Sequence, residues 1–306
     1  MPTLNISLDT SKYRTPTQKD VLAAKEYVLQ REEAATSLSS KIDALLMIAV
    51  EKIVQICYKY NVDPQLLIFD YDFNEDMMEE IAAVMDELED EILDMLRDEA
   101  TSCTKNPKRI NWLIAWMALL GKNKRNLRQT LHIYLQKFMK DIEAAVAAVK
   151  YAEYDLSRAV TTIKTHLHTI YTIPAVYAAF KISDQFKATY ILSKGVQQGA
   201  VGLSNNGSTN VVNMCRTTLQ MVWMKNTETL TQTNEETDEE EVLPDNPFTQ
   251  EEEVLVGYYV ARGSNFPCQV CDDACGFYLL QQYRGVLPVH PHCQCYAIPI
   301  YELKTT

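Results

Sequence analysis

The most constraining feature of this chain is the segment from Cys268 to Cys295, which contains five of the eight cysteines and two of the five histidines. It begins with the C-x2-C pair Cys268 and Cys271 and ends with His290-Pro-His-Cys-Gln-Cys295. Eighteen residues separate Cys271 from His290, which is close to the spacing of structural zinc sites with four ligands. Because a C-x2-C turn presents two thiolates to one metal ion, the pattern predicts a structural Zn²⁺ site here.

The preferred ligand set takes two residues from each end of the segment. It consists of Cys268, Cys271, His290 and Cys293. Cys295 and His292 are alternatives for the last two positions, and Cys275 is an outside candidate. A structural role is expected because four ligands close the coordination sphere, and the segment has no HExxH pattern to supply a general base.

Other interpretations of the cysteines stay open. The thiols could be free, buried or partly paired, with the turn held by packing alone. A redox dithiol is disfavoured because the C-x2-C pair precedes a second Cys/His pair instead of opening the helix of a thioredoxin-like unit.

The first residues lack an apolar run, and the stretch 110–120 is too short to span a membrane. We therefore expect synthesis in a reducing cytoplasm, which favours a metal over disulfides.

Hydrophobic periodicity predicts a largely helical chain. Apolar residues recur every three to four positions in five stretches, and helices are expected at 17–60, 74–99, 106–121, 127–169 and 210–226. Val- and Tyr-rich stretches at 254–262 and 296–301 predict strands on either side of the cysteines. The expected fold class is a mainly α N-terminal helical region followed by a smaller α+β C-terminal module with a Cys/His zinc-binding knot.

Composition divides the chain into four consecutive parts. They are a helical domain at 1–183, a helical segment at 184–230, an acidic flexible insertion at 231–253 and a strand-rich Cys/His module at 254–306. The insertion is expected to be exposed because ten acidic residues and no basic one lie between Glu235 and Glu253. Without them the net charge of −12 falls to about −2, so the charge of the whole chain says little about its partners.

A basic flank surrounds the third predicted helix. It comprises seven residues within 24 positions: Lys105, Lys108, Arg109, Lys122, Lys124, Arg125 and Arg128. Such a cluster can bind DNA phosphates, or an acidic partner, through the release of counterions. The alternative is an ordinary solvated loop between helices.

The order of motifs at the C-terminus resembles that of a known family. A strand, a polar turn, C-x2-C, a glycine-aromatic stretch, a proline and His-Pro-x-Cys-x-Cys follow one another, and this order is similar to the C-terminal signature of the phage Mu F-like family. The matching residues are Gly257–Val260, Cys268, Cys271, Gly276, Phe277, Pro288, His290, Pro291, Cys293 and Cys295. Gly195, Gly199 and a helix with Arg216 extend the resemblance to about residues 184–300. Gln294 stands where the family usually has arginine.

Members of that family are minor head, or head morphogenesis, proteins of tailed bacteriophages. The resemblance implies a non-enzymatic virion component at the portal vertex or inside the capsid, which acts in head assembly or genome delivery. Phage portal and capsid proteins are the implied partners, and the basic flank leaves contact with packaged DNA open. Two alternatives use the same Cys/His framework: a treble-clef-like nuclease with His292 as its nearest base, and a DNA-binding zinc regulator.

Overall fold

The computed structural model describes residues 9, 11–61, 74–121, 125–168, 207–228, 231–233, 240–242, 247–248, 253–263, 267–283, 286–289 and 293–303. Its elements, in chain order, are α1 (Gln18–Lys59), α2 (Glu75–Thr101), α3 (Pro107–Ala118), α4 (Leu127–Tyr151), α5 (Leu156–His168), α6 (Gly207–Lys225), β1 (Thr231–Thr233), β2 (Glu240–Val242), β3 (Leu255–Ala261), α7 (Gln269–Asp273), β4 (Gly276–Leu279) and β5 (Tyr296–Tyr301). The N-terminal region is therefore mostly helical, and a small three-stranded antiparallel sheet lies C-terminally.

Contacts group the chain into two compact units, each assembled from separate stretches. One unit comprises Met1–Leu38, Leu96–Leu119 and Arg216–Thr306, and the other comprises Ser39–Met95 and Leu120–Cys215. Helices α1, α2 and α6 contribute residues to both. The units thus differ from the four consecutive parts predicted from composition. Composition reports where the sequence changes along the chain, whereas a compact unit forms wherever helix faces bury apolar surface together.

The first three predicted helices are confirmed, with ends that differ by at most three residues. At the start of α1, the Asp20 carboxylate accepts hydrogen bonds from the backbone and hydroxyl of Thr17 at 2.7 and 2.8 Å. The Thr17 hydroxyl in turn accepts from the backbone N–H of Asp20, which is a reciprocal cap. At the start of α3, the Asn106 side chain accepts from two backbone N–H groups and Pro107 occupies the first turn.

The single long helix predicted over 127–169 is wrong, because the chain leaves the helix after Tyr151 and re-enters it at Leu156. Glu153 adopts φ 56°, and the N–H groups of Glu153 and Tyr154 bond the carbonyls of Lys150 and Val149. This is the Schellman ending, which usually has glycine at the left-handed position. A glutamate there leaves no sign in the sequence. The Asp155 carboxylate then accepts from the backbone N–H of Arg158 and starts α5.

Helix α6 confirms the helix predicted from residue 210, but it begins three residues earlier, at Gly207. Gly207 lies directly against α4, and a Cβ atom there would come within 2.2 Å of the Cα atom of Phe138. The Asp141 carboxylate of α4 accepts a short hydrogen bond from the Gly207 backbone N–H. Glycine is therefore required where α6 starts, because any side chain would collide with the backbone of α4.

The acidic stretch is not wholly an exposed insertion. Strands β1 and β2 within it pair antiparallel, with Gln232 opposite Glu241. Phe248 is buried, its ring lies 5.6 Å from that of Tyr27, and its carbonyl accepts from the Tyr301 hydroxyl at 2.6 Å. The prediction of exposure therefore does not hold at Phe248, because removing an aromatic ring from water is strongly favourable.

The C-terminal sheet has the strand order β4-β3-β5, with antiparallel pairing throughout. The strands predicted at 254–262 and 296–301 are confirmed as β3 and β5. Every residue of β5 is buried, and Ile298 and Tyr296 pack with Ala24 and Val28 of α1. Strand β4 was not predicted, because its four residues are too few to show an alternating pattern. Within the described ranges, no helix has both the length and the apolar character needed to cross a membrane.

Candidate metal centre

The C-x2-C pair lies at the start of α7. Cys268 is the N-terminal cap residue of this five-residue helix, and its carbonyl accepts from the backbone N–H of Asp272 at 3.0 Å. Cys271 lies within the same turn and is buried. The C-x2-C pair does open a helix, but this helix is short and leads into an antiparallel strand, β4.

Cys293 and Cys295 lie immediately before β5, on the opposite side of β3 from β4. Gly263, which follows β3, approaches the intervening Gln294 so closely that a Cβ atom would lie 1.9 Å from the Gln294 carbonyl oxygen. The pairing of β3 with β5 and this close approach bring the two cysteines next to α7. Sheet register therefore positions thiols that are more than twenty residues apart in the chain.

Three sulphur atoms form a buried cluster, those of Cys271, Cys293 and Cys295. All three lie within 4.8 Å of one another, and the residues are only 6%, 0% and 2% exposed. In a tetrahedral thiolate site with metal–sulphur bonds of about 2.3 Å, the sulphur atoms are about 3.8 Å apart. The cluster is thus compact enough to hold a metal ion.

The remaining cysteines of the segment occupy the edge of the cluster. The Cys268 thiol lies within hydrogen-bonding reach of the Cys271 thiol. The Cys275 thiol donates to the Cys271 carbonyl at 3.2 Å and is not part of the sulphur group. All eight cysteines of the chain are free thiols, so no disulfide competes for these sulphur atoms.

The cluster agrees in part with the ligand set predicted from spacing. Cys271 and Cys293 lie together as expected, and Cys268 is adjacent. Cys295, which was an alternative, belongs to the group. His290 and His292 lie outside the described residues. Sequence spacing alone could not show that Cys295 belongs to the sulphur group, because this depends on how the Cys293–Cys295 turn is oriented relative to α7.

The three thiols differ in acidity. A hydrogen bond from the Cys295 thiol lowers the pKa of Cys293 to about 5 and raises that of Cys295, which supplies the proton. Burial raises the pKa of Cys271 to about 11. Cys293 is therefore the most readily deprotonated of the three thiols. A divalent cation would then displace the remaining protons, since sulphur binds metals in its deprotonated form.

A buried arginine from α1 contacts the same turn. Arg31 is 0% exposed, and its Nη2 atom donates to the Cys293 carbonyl at 2.5 Å. Arg31 also bonds the Glu32 carboxylate, which accepts from Arg216 and Gln220 of α6 as well. Sequence reasoning missed Arg31, because nothing distinguishes it from the other charged residues of a long amphipathic helix.

Two members of the basic flank already bond groups within the protein. Arg109 is buried and donates to the Asn226 side chain and to the carbonyls of Asn226 and Glu228. Arg128 pairs with Glu89 and Asp90 at 3.0 and 2.6 Å. Burial therefore removes Arg109 from any phosphate-binding surface, and contact of the other residues with DNA or an acidic partner stays a prediction. The side chains of Arg109 and Arg128 satisfy buried carbonyls and helix carboxylates.

Four residues of the flank reach the surface. Lys105, Lys108, Arg125 and Arg128 are exposed, and Lys122 and Lys124 lie outside the described residues. The chain matches no protein-family model, no curated protein and no solved structure.

Proposed function

We propose that this chain is a minor capsid, or head morphogenesis, protein of a tailed bacteriophage, whose C-terminal module is closed by a structural zinc ion. The observation that carries the proposal is the buried group of Cys271, Cys293 and Cys295 sulphur atoms. It lies within the segment whose motif order resembles the Mu F-like signature. The resemblance supports the virion role, and the sulphur geometry supports the metal.

Zinc is the metal that this ligand chemistry favours. Thiolates are soft ligands, and a reduced cytosolic protein with clustered thiols in tetrahedral reach of each other most often holds Zn²⁺. The ion would join α7 to the turn before β5 and so stabilise a three-stranded sheet with little core of its own. A structural role suits the burial of the sulphur atoms, since a catalytic zinc keeps a position open for water or substrate.

The metal proposal is tested on purified full-length protein by elemental analysis. We expect about one zinc per chain, and Cys271→Ser should remove it and lower the melting temperature. Cys103→Ser is the matched control, because the Cys103 thiol donates to the Ala100 carbonyl at 3.4 Å and a serine hydroxyl can do the same. Metal-free protein with an unchanged melting curve after chelator treatment would contradict the proposal.

The virion role places the protein at the portal vertex or inside the head, after synthesis in the host cytoplasm. The helices of the N-terminal region would contact the portal, other capsid proteins or one another through their amphipathic faces. Mass spectrometry of purified particles should detect the chain, and it should co-purify with the portal protein. Absence from particles, together with failure to co-purify with the portal protein, would contradict the virion role. Cleavage of plasmid DNA with Mg²⁺ or Mn²⁺ would favour the nuclease alternative instead.

A further inference from the structure

The environment of the sulphur cluster carries an unusual charge. Arg31 is fully buried and Arg216 is mostly so, and both bond the single carboxylate of Glu32. The neutral side chain of Gln220 also donates to the Glu32 carboxylate, at 2.7 Å. Two guanidinium groups thus face one carboxylate, which leaves one net positive charge in a largely dry environment.

Burying such a charge is costly unless a negative charge compensates for it. The Nη1 atom of Arg31 has no hydrogen-bond partner among the described residues. Its Nη2 atom lies 2.5 Å from the carbonyl oxygen of Cys293, a residue of the sulphur group. A neighbouring centre with net negative charge would remove this cost.

The charge of a zinc centre depends on its ligands. Two thiolates and two neutral imidazoles leave a Zn²⁺ site neutral, three thiolates leave it at −1 and four leave it at −2. A neutral centre would leave the positive charge of Arg31 uncompensated. The net positive charge beside Cys293 therefore favours a thiolate-rich site over the two-histidine combinations that the sequence spacing allows.

Resting on the metal site of the proposed function, we infer that Cys268, Cys271, Cys293 and Cys295 bind the ion as an anionic all-thiolate centre, and that Arg31 is its charge-balancing and positioning residue. Either three or four thiolates would supply this negative charge. Cys268 is the fourth ligand because its thiol hydrogen-bonds that of Cys271, although its sulphur atom is not within 4.8 Å of all three others. Arg31 acts through the Cys293 carbonyl, which fixes the ligand turn, and through its charge. Arg216 adds a second positive charge and Glu32 supplies a negative one, so these two residues set the net charge beside Arg31.

The ligand assignment is tested by cobalt substitution of the full-length protein. Thiolate-to-cobalt charge-transfer absorption grows with the number of thiolates, so wild type should show the intensity of four. The double variant His290→Ala/His292→Ala should keep this spectrum and one metal per chain, whereas Cys268→Ser should lose about a quarter of the intensity. A changed cobalt spectrum or a lower metal content in the His290→Ala/His292→Ala variant would overturn the assignment of the four thiolate ligands.

The role of Arg31 is tested by zinc affinity, measured by competition with a chromophoric chelator. Arg31→Met should weaken zinc binding about tenfold or more, and Arg31→Lys should recover most of the affinity because it keeps the charge. Arg109→Met is the matched control: Arg109 is equally buried, but its partners are Asn226 and Glu228. It should lower stability without changing the zinc affinity.

Glu32→Gln separates charge from structure, even if Arg31→Met fails to fold. It removes the negative charge that offsets Arg31 but keeps an oxygen acceptor, so zinc should bind about threefold more tightly. Weaker binding in Glu32→Gln, or unchanged affinity in folded Arg31→Met, would overturn the role of Arg31. Failure of wild type to bind any metal would instead overturn the zinc site of the proposed function.

Discussion

The side chain of Arg31 donates a hydrogen bond to the carbonyl of Cys293, across 262 positions of the chain. This contact joins the first helix to the turn that carries two of the three clustered thiols. The C-terminal module is therefore not independent of the N-terminal helix. We expect a fragment that begins at residue 254 to bind metal more weakly than the full chain, since it lacks Arg31.

Gly263→Ala should disrupt the metal centre without touching a ligand. The new Cβ atom would lie 1.9 Å from the carbonyl oxygen of Gln294, between Cys293 and Cys295. We expect a loss of about 1–3 kcal/mol in the free energy of unfolding together with a lower zinc content, measured by urea titration and elemental analysis.

The control for this change is Gly276→Ala. Nothing lies within 4 Å of a Cβ atom at that position, although φ is 152°. This variant should therefore lose some stability through backbone strain and still bind one metal ion. Equal metal loss in both variants would show that the contact with Gln294 is not the cause.

Arg109 and Arg128 should differ strongly in their contribution to stability, although both belong to the basic flank. Arg109→Met would leave the buried carbonyls of Asn226 and Glu228 without their donor and should cost about 2–4 kcal/mol. Arg128 is 59% exposed where it pairs with Glu89 and Asp90, so Arg128→Met should cost less than about 1 kcal/mol. Urea unfolding of the two variants in parallel tests this ranking, and equal losses would contradict it.

Asp141 should make stability depend on pH between about 4 and 6. Burial raises the pKa of its carboxyl group from 3.8 to about 6, even though it accepts from the Gly207 N–H and lies near Lys137. Because the folded-state pKa is raised, the stabilisation from the protonated form is complete below the unfolded pKa of 3.8 and is lost as pH rises through 6.

Asp141→Asn tests this effect, because an amide keeps an oxygen acceptor for Gly207 and carries no charge. The variant should match wild type at pH 4 and exceed it by about 1–3 kcal/mol at pH 7. Chemical denaturation of both proteins at each pH gives the difference, in which any titration of the thiols cancels. A variant that is less stable than wild type at pH 7 would contradict the prediction.

Glu153→Gly should stabilise the protein. Glu153 holds φ 56° at the end of α4, a conformation that costs a side chain more than it costs glycine. We expect a gain of about 0.5–1 kcal/mol in the free energy of unfolding. Ala152→Gly, one residue earlier and at φ −81°, is the control and should destabilise instead, so thermal melts of the pair should move in opposite directions.

Local patterns were sufficient for most elements of the fold. Helices α1, α2, α3 and α6 and strands β3 and β5 were predicted because each carries its own periodicity, and caps such as Asn106-Pro107 mark their ends. The break after Tyr151 was missed because its left-handed residue is a glutamate. Strand β4 was missed because four residues do not establish an alternation.

The candidate site likewise combines features encoded by local sequence with features that depend on tertiary structure. The sequence by itself determined that thiols of the Cys268–Cys295 segment would meet, because a C-x2-C turn and a second Cys/His pair at this spacing suit one metal ion. Only the tertiary structure decided that Cys295 joins Cys271 and Cys293, and that Arg31 lies beside them. The physical reason is range: ligand spacing is encoded within one short segment, whereas the β3–β5 register joins residues roughly 40 positions apart and the packing of α1 on the sheet joins residues more than about 200 positions apart.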